Sequence, residues 1–226
     1  MINSNVRGRS WLRLVGVVVL ALVLASCSDR LEKDGSDSAE SVPSAQLQAW
    51  SELHSDPYGI GQRALQSYAY AAAAMAKAQP ECGLGWATLA GIGSVSSDHG
   101  EASGSTVGVD GMVTPEMRNL RQSRETGAKV VSDTDAGHYD GSSVIDARMG
   151  PMQILPSQWE QFATDADNDG KPNPDSFDDS TLTAARLLCG VGDLRKSENW
   201  SAAVGQFNSM PGFVEKVHAA ALRYGR

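Results

Sequence analysis

The sequence predicts a mainly helical domain with a minor β component, and three observations predict it. Apolar residues recur at helical spacing, as in the stripe Phe213, Val217, Ala220 and Tyr224. An Ala-rich run, IGQRALQSYAYAAAAMAKAQP, has strong helix propensity and is stopped by Pro80. The stretch from Gly100 to Gly150 lacks such periodicity and is rich in Gly, Ser, Thr and Asp, with turn signals such as VDGM and YDGSS. It suits a lid or small β-hairpin region over a cleft. At 226 residues, 41% hydrophobic and 20% charged, the chain can bury one sizeable core.

Taken in order, the first segment is a targeting signal rather than part of the fold. Arg7, Arg9 and Arg13 precede an apolar run from Leu14 to Ala25, too short to span a bilayer comfortably. The run ends in LASC, Leu24 to Cys27. That ending resembles a bacterial lipoprotein signal, residues 1–26, in which Cys27 becomes the lipidated first residue. An ordinary secretory signal with a chance cysteine is the alternative. Lipid on Cys27 would anchor the exported protein to the outer face of the cell membrane. Residues 27–46 are polar and charged and read as a flexible tether, with the folded domain occupying 47–226. Without the signal, 16 basic side chains face 27 acidic ones, a net charge of −11. Nucleic-acid binding, which needs a basic face, is disfavoured.

A second helix is expected from about Leu84 to Ser97, with Leu89, Ile92 and Ser96 on one face. Gly91 and Gly93 lower its propensity, and their expected compensation is close approach by another segment. LPSQWEQF opens the next helix, with Ser157 and Glu160 as a capping box. Helices near Asp179–Cys189, Ser201–Asn208 and Pro211–Tyr224 follow, the last with Pro211 in its first turn. Cys82 and Cys189 remain once Cys27 is lipidated, and in an exported chain they read as a disulfide. His54, His138 and His218 make no metal-binding pattern. The Trp residues suit either core packing or a sugar cleft.

Four segments in order, WATLAGIGSVSSDHG, GPMQILPSQW, DADNDGKPNPDSFDDSTLTAARLLC and AVGQFNSMPGFVEKV, resemble the lytic murein transglycosylases of the lysozyme-like superfamily. The resemblance is to the membrane-bound B-type branch and its actinobacterial relatives, and it spans about Tyr58 to Tyr224. GPMQILPSQW is its most specific piece, matching the family's G-P-M-Q-F-x-P-S-x-W almost position by position. The cysteines also fall where the actinobacterial relatives place theirs. The resemblance implies a lysozyme-like α+β fold and a cleft for peptidoglycan glycan strands. In that family one Glu protonates the bridging oxygen between N-acetylmuramic acid and N-acetylglucosamine. It then deprotonates the muramic C6 hydroxyl to close a 1,6-anhydro ring, so an apolar cleft must raise its pKa.

This sequence departs at that residue. Within the family's G-x-E-S-x-H-G run, the Glu position is Ser96, flanked by Ile92, Gly93 and Val95 and by Ser97, His99 and Gly100. A serine hydroxyl cannot serve as the acid near neutral pH. The family's Y-N pair is Phe207–Asn208 here, which removes a second hydroxyl. Met152, Gln153, Phe207 and Asn208 carry over as candidate substrate contacts. The resemblance then implies a glycan-binding lipoprotein with lost or weakened cleavage. Two alternatives stand beside it: an active transglycosylase using a displaced acid, Asp98 or Asp146, and a scaffold for a cell-wall enzyme. Ser96, His99 and Asp98 as a triad is a further arrangement, though sequential members rarely reach triad geometry.

DADNDG opens like an EF-hand loop, with Asp165, Asp167 and Asp169 at positions one, three and five, and Lys171 offering its carbonyl. The twelfth position is Ser176 rather than Glu. B-type transglycosylases lengthen this loop and close it with a later Asp, a place held here by Asp179, which is also suited to cap the next helix. The expected ligand is a structural calcium ion. An acidic turn that binds nothing is the alternative.

Overall fold

The computed structural model describes residues 44–119, 127 and 129–225. The lipoprotein signal, Cys27 and most of the tether lie outside the described residues. Among the described residues no helix is long and apolar enough to cross a membrane.

Seven helices and one small hairpin make up the described chain. Helix α1, Ser44–Tyr58, begins three residues before the expected domain start and packs on α2, Gln62–Ala78. The Ala-rich composition lets α2 approach closely, and it buries Leu65, Tyr68, Ala71 and Met75. Helix α3, Trp86–Ser97, is apolar and largely buried. A hairpin of β1, Thr106–Val107, and β2, Val113–Thr114, follows, pairing Thr106 with Thr114. Helices α4, Pro156–Phe162, α5, Phe177–Cys189, α6, Ser197–Phe207, and α7, Phe213–Tyr224, complete the chain. The mainly helical class is as the sequence predicts, and the hairpin lies in the Gly- and Asp-rich stretch.

The most extensive packing joins α3 to α7. Gly91 explains it: a Cβ there would lie 2.8 Å from the Val217 carbonyl oxygen. A Cβ on Gly93 would collide with the Tyr68 hydroxyl, so the second glycine admits α2. The predicted stripe on α7 is buried as a unit against this surface. Helix α5 is tied to α2 by polar groups: Arg63 pairs with Asp178, and the Ser67 hydroxyl donates to Asp178 at 2.6 Å. The Cys82–Cys189 disulfide joins the approach to α3 with the end of α5, with a Cα–Cα distance of 5.4 Å.

Local boundaries differ from expectation at several places, among them α6, which begins at Ser197 rather than near Ser201. Helix α4 begins at Pro156, so Ser157 lies inside it, and the capping contact is made by Gln158, whose Oε1 accepts from the Leu155 N–H at 3.1 Å. Proline at the first helical position sets that start, because its missing N–H costs nothing there. Helix α7 begins only at Phe213, since Gly212 takes a φ of 73° and leaves Pro211 outside. Asp179 does not cap α5. Ser176 does, its Oγ accepting from the Asp179 N–H at 3.4 Å.

Candidate functional site

The site is built around the end of α3. After Ser97 three consecutive residues adopt left-handed conformations, Asp98 (φ 51°), His99 (φ 57°) and Gly100 (φ 88°). The amides fold back in compensation: Asp98 N–H donates to Ser94 and His99 N–H to Gly93. This broken turn directs His99, not Asp98, into the protein. Asp98 is exposed at the C-cap, so the turn does not bring its carboxylate inward as the displaced-acid alternative requires.

His99 is 5% exposed and held at both ring nitrogens. Nδ1 lies 3.1 Å from the Tyr68 hydroxyl and Nε2 lies 3.0 Å from the Tyr224 hydroxyl. A neutral imidazole offers one donor and one acceptor, and each tyrosine hydroxyl can play the complementary role. Burial pushes the imidazole pKa down to about 4, Arg223 adding to that and Asp98 opposing it. With both nitrogens committed to tyrosines, His99 activates neither Ser96 nor Asp98. The Ser96–His99–Asp98 triad is not formed.

Ser96 is 3% exposed, and its Oγ is buried with no hydrogen-bond partner among the described residues. A buried hydroxyl left unbonded costs about 1–3 kcal/mol, so this is an unusual place for a serine. The other displaced acid, Asp146, is fully buried and committed: its oxygens accept from the Thr134 N–H and the Thr134 hydroxyl, both at 2.7 Å.

The carried-over substrate residues gather around the Gly-Pro turn before α4. Gly150 has a φ of 65°, and a Cβ there would run into the Pro174 carbonyl. Gln153 also takes a positive φ, 55°, rare for a residue with a side chain, and its Nε2 donates to the Gly150 carbonyl at 2.9 Å. Asn208 Oδ1 accepts from the Met210 N–H at 3.0 Å. Met152 and Phe207 have no exposed surface, Phe207 stacking on Phe213. Gln153 and Asn208 are 3% and 9% exposed. No hydrogen bond joins Ser96 to this group.

One residue that sequence reasoning missed links the turn to the end of α6. Arg148 Nη1 donates to the Gln153 carbonyl at 2.9 Å and to the Phe207 carbonyl at 3.2 Å. Arg148 is 8% exposed, and burial lowers its pKa to about 10. The available signal was an arginine set among apolar residues in VIDARMGPM.

In the DADNDG loop, carboxylate oxygens of Asp165, Asp167 and Asp179 lie within 4.8 Å of one another. Asp169 is not in that group, and its Oδ1 instead accepts from the Lys171 N–H at 2.9 Å. Asp179 accepts from Ala166 N–H at 2.6 Å and from Asn173 N–H at 2.8 Å. Desolvation nevertheless raises its pKa to about 6, against those hydrogen bonds and with help from Asp167. Asp165 Oδ1 is buried without a partner, so the cluster suits a divalent cation. No family model, curated protein or solved structure matches this chain.

Proposed function

We propose that this protein is an exported lipoprotein that binds peptidoglycan glycan strands through a lytic-transglycosylase-like domain and leaves them uncut. The observation that carries the reading is the state of the acid position. Ser96 is buried and unbonded where the resembling family places its Glu, and neither acid weighed as its substitute is both inward-facing and free. Asp98 faces solvent, both Asp146 oxygens accept from Thr134, and His99 is locked between Tyr68 and Tyr224. Glycosidic cleavage needs a group that protonates the leaving oxygen. With Met152 and Phe207 packed beneath the surface, sugar contact falls to the edges of Gln153 and Asn208.

Asp165, Asp167 and Asp179 would hold a calcium ion, with Lys171 offering its backbone carbonyl. The ion would brace the loop before α5 and supply no chemistry. Lipid on Cys27 would keep the domain at the membrane surface facing the wall.

The reading is tested by co-sedimentation with purified sacculi, which the domain is expected to follow. Failure to sediment, with a cell-wall enzyme retained on the domain instead, contradicts it. Restoring the acid by Ser96→Glu is expected to give at most slight lysis of sacculi unless Phe207→Tyr accompanies it. Robust lysis by the single variant would show that the lost tyrosine hydroxyl is unimportant.

A further inference from the structure

Arg148 differs from the other well-buried or paired arginines of this acidic chain. Arg63 pairs with Asp178, Arg118 with Asp175 and Glu116, and Arg195 with Asp193. Arg186 also meets only carbonyls, those of Phe162 and Ala163, but it is exposed to solvent. Arg148 is 8% exposed and, among the described residues, no carboxylate answers its charge. In a chain with 27 acidic residues, a buried guanidinium without one is an unbalanced charge.

Its geometry is also fixed in advance. Nη1 is anchored to the carbonyls of Gln153 and Phe207, which sets the plane of the guanidinium. The backbone of Arg148 is held by Asn119: Arg148 N–H donates to Asn119 Oδ1, and Asn119 N–H donates to the Arg148 carbonyl, both at 2.9 Å. Nε and Nη2 have no hydrogen-bond partner among the described residues. They form the edge of the fork that pairs with a carboxylate through two parallel N–H bonds. A guanidinium held this way pays little ordering cost on binding.

We infer that Arg148 is an anion-binding residue, receiving the carboxylate of an acidic saccharide at the junction of the Gly150 turn and the end of α6. The carrier of that carboxylate rests on the glycan reading, and two sources share the chemistry: the lactyl group of a peptide-free muramic acid and the termini of a stem peptide. Neutral N-acetylglucosamine oligomers lack the group and bypass the site.

The full chain is titrated with three probes: chitotetraose, a peptide-free tetrasaccharide of alternating N-acetylglucosamine and N-acetylmuramic acid, and a muropeptide whose lactyl group is amide-linked to its stem. Wild type is expected to bind one acidic probe about tenfold more tightly than chitotetraose, equivalent to one charge-assisted contact. The better acidic probe identifies the source. Arg148→Gln is expected to abolish that preference, with Arg148→Lys intermediate. Equal affinity of wild type for all three probes, or a preference that survives Arg148→Gln, overturns the inference. Because Arg148→Gln also loosens the turn, the Arg148 Nε–H resonance of wild type is followed against D-lactate and neutral lactamide. A shift with lactate alone supports the carboxylate site even if no glycan binds, in which case the glycan reading fails by itself. No shift with lactate removes the site.

Discussion

The turn after α3 and the loop from Asp165 to Asp179 are both polar clusters at the edge of the core, but only one is completed by the protein. At the α3 turn, His99 has a tyrosine at each ring nitrogen, and α2 and α7 supply the pair. In the acidic loop, three carboxylates are drawn together, one of their oxygens is buried without a partner, and desolvation holds Asp179 above its ordinary pKa. The first cluster is a structural buttress that needs no ligand. The second is left incomplete, with one carboxylate oxygen unanswered. Ser96 sits one turn from the buttress and shares the incompleteness of the loop without its charge.

The difference can be broken first at the buttress. His99→Ala removes both partners at once and leaves two tyrosine hydroxyls unsatisfied in the core. It is expected to cost about 3–5 kcal/mol in urea unfolding, from the lost hydrogen bonds and the cavity. A loss under about 1 kcal/mol would mean that the tyrosines find other partners.

Acid should break the same cluster in wild type. His99 titrates near 4 when folded, against an ordinary 6.5, so between those values the unfolded chain binds more protons. Stability is intact above pH 6.5 and falls as pH drops towards 4, by about 3 kcal/mol in all. The groups facing the ring are Tyr68, Tyr224, Asp98 and Arg223, and only Asp98 opposes the loss. Unfolding free energies at pH 7 and pH 4.5, compared with the His99→Ala variant, isolate this contribution: the variant should show the shallower decline.

The loop responds to a different agent. Calcium at about one hundred times its dissociation constant is expected to stabilise the protein by about 2.7 kcal/mol. For a chain of this size that raises the melting temperature by about 5–10 °C. Asp165→Asn should remove the response, while His99→Ala should leave it in place. A melting temperature indifferent to calcium would reduce the loop to an acidic turn.

Much of the scaffold could be read from short-range patterns. The paired glycines of α3 foretold close approach, met by Val217 and Tyr68, and the α7 stripe and the Cys82–Cys189 pair were equally plain. Boundaries were less legible where one residue's backbone preference decided them: Pro156 fixed the start of α4, and Gly212 cut α7 short of Pro211. In the acidic loop, Asp165 and Asp167 converge as their spacing suggested and Asp179 joins them as the resemblance implied, while Asp169 turned to a local amide. The site was hardest to read where contacts are remote. Tyr68 and Tyr224 lie 31 and 125 residues from His99, and Arg148 reaches a carbonyl 59 residues away. Nothing in local periodicity marks such partners, and the inward turn of His99 depends on three left-handed residues of which only Gly100 advertises itself.

The central claim, a glycan cleft with no proton donor, is tested most directly by mass spectrometry of sacculi digested with the wild-type protein. The expected result is no 1,6-anhydromuropeptide above the buffer control, from protein that co-sediments with the same sacculi. Steady release of those products, abolished by Asp98→Asn or Asp146→Asn, would contradict it.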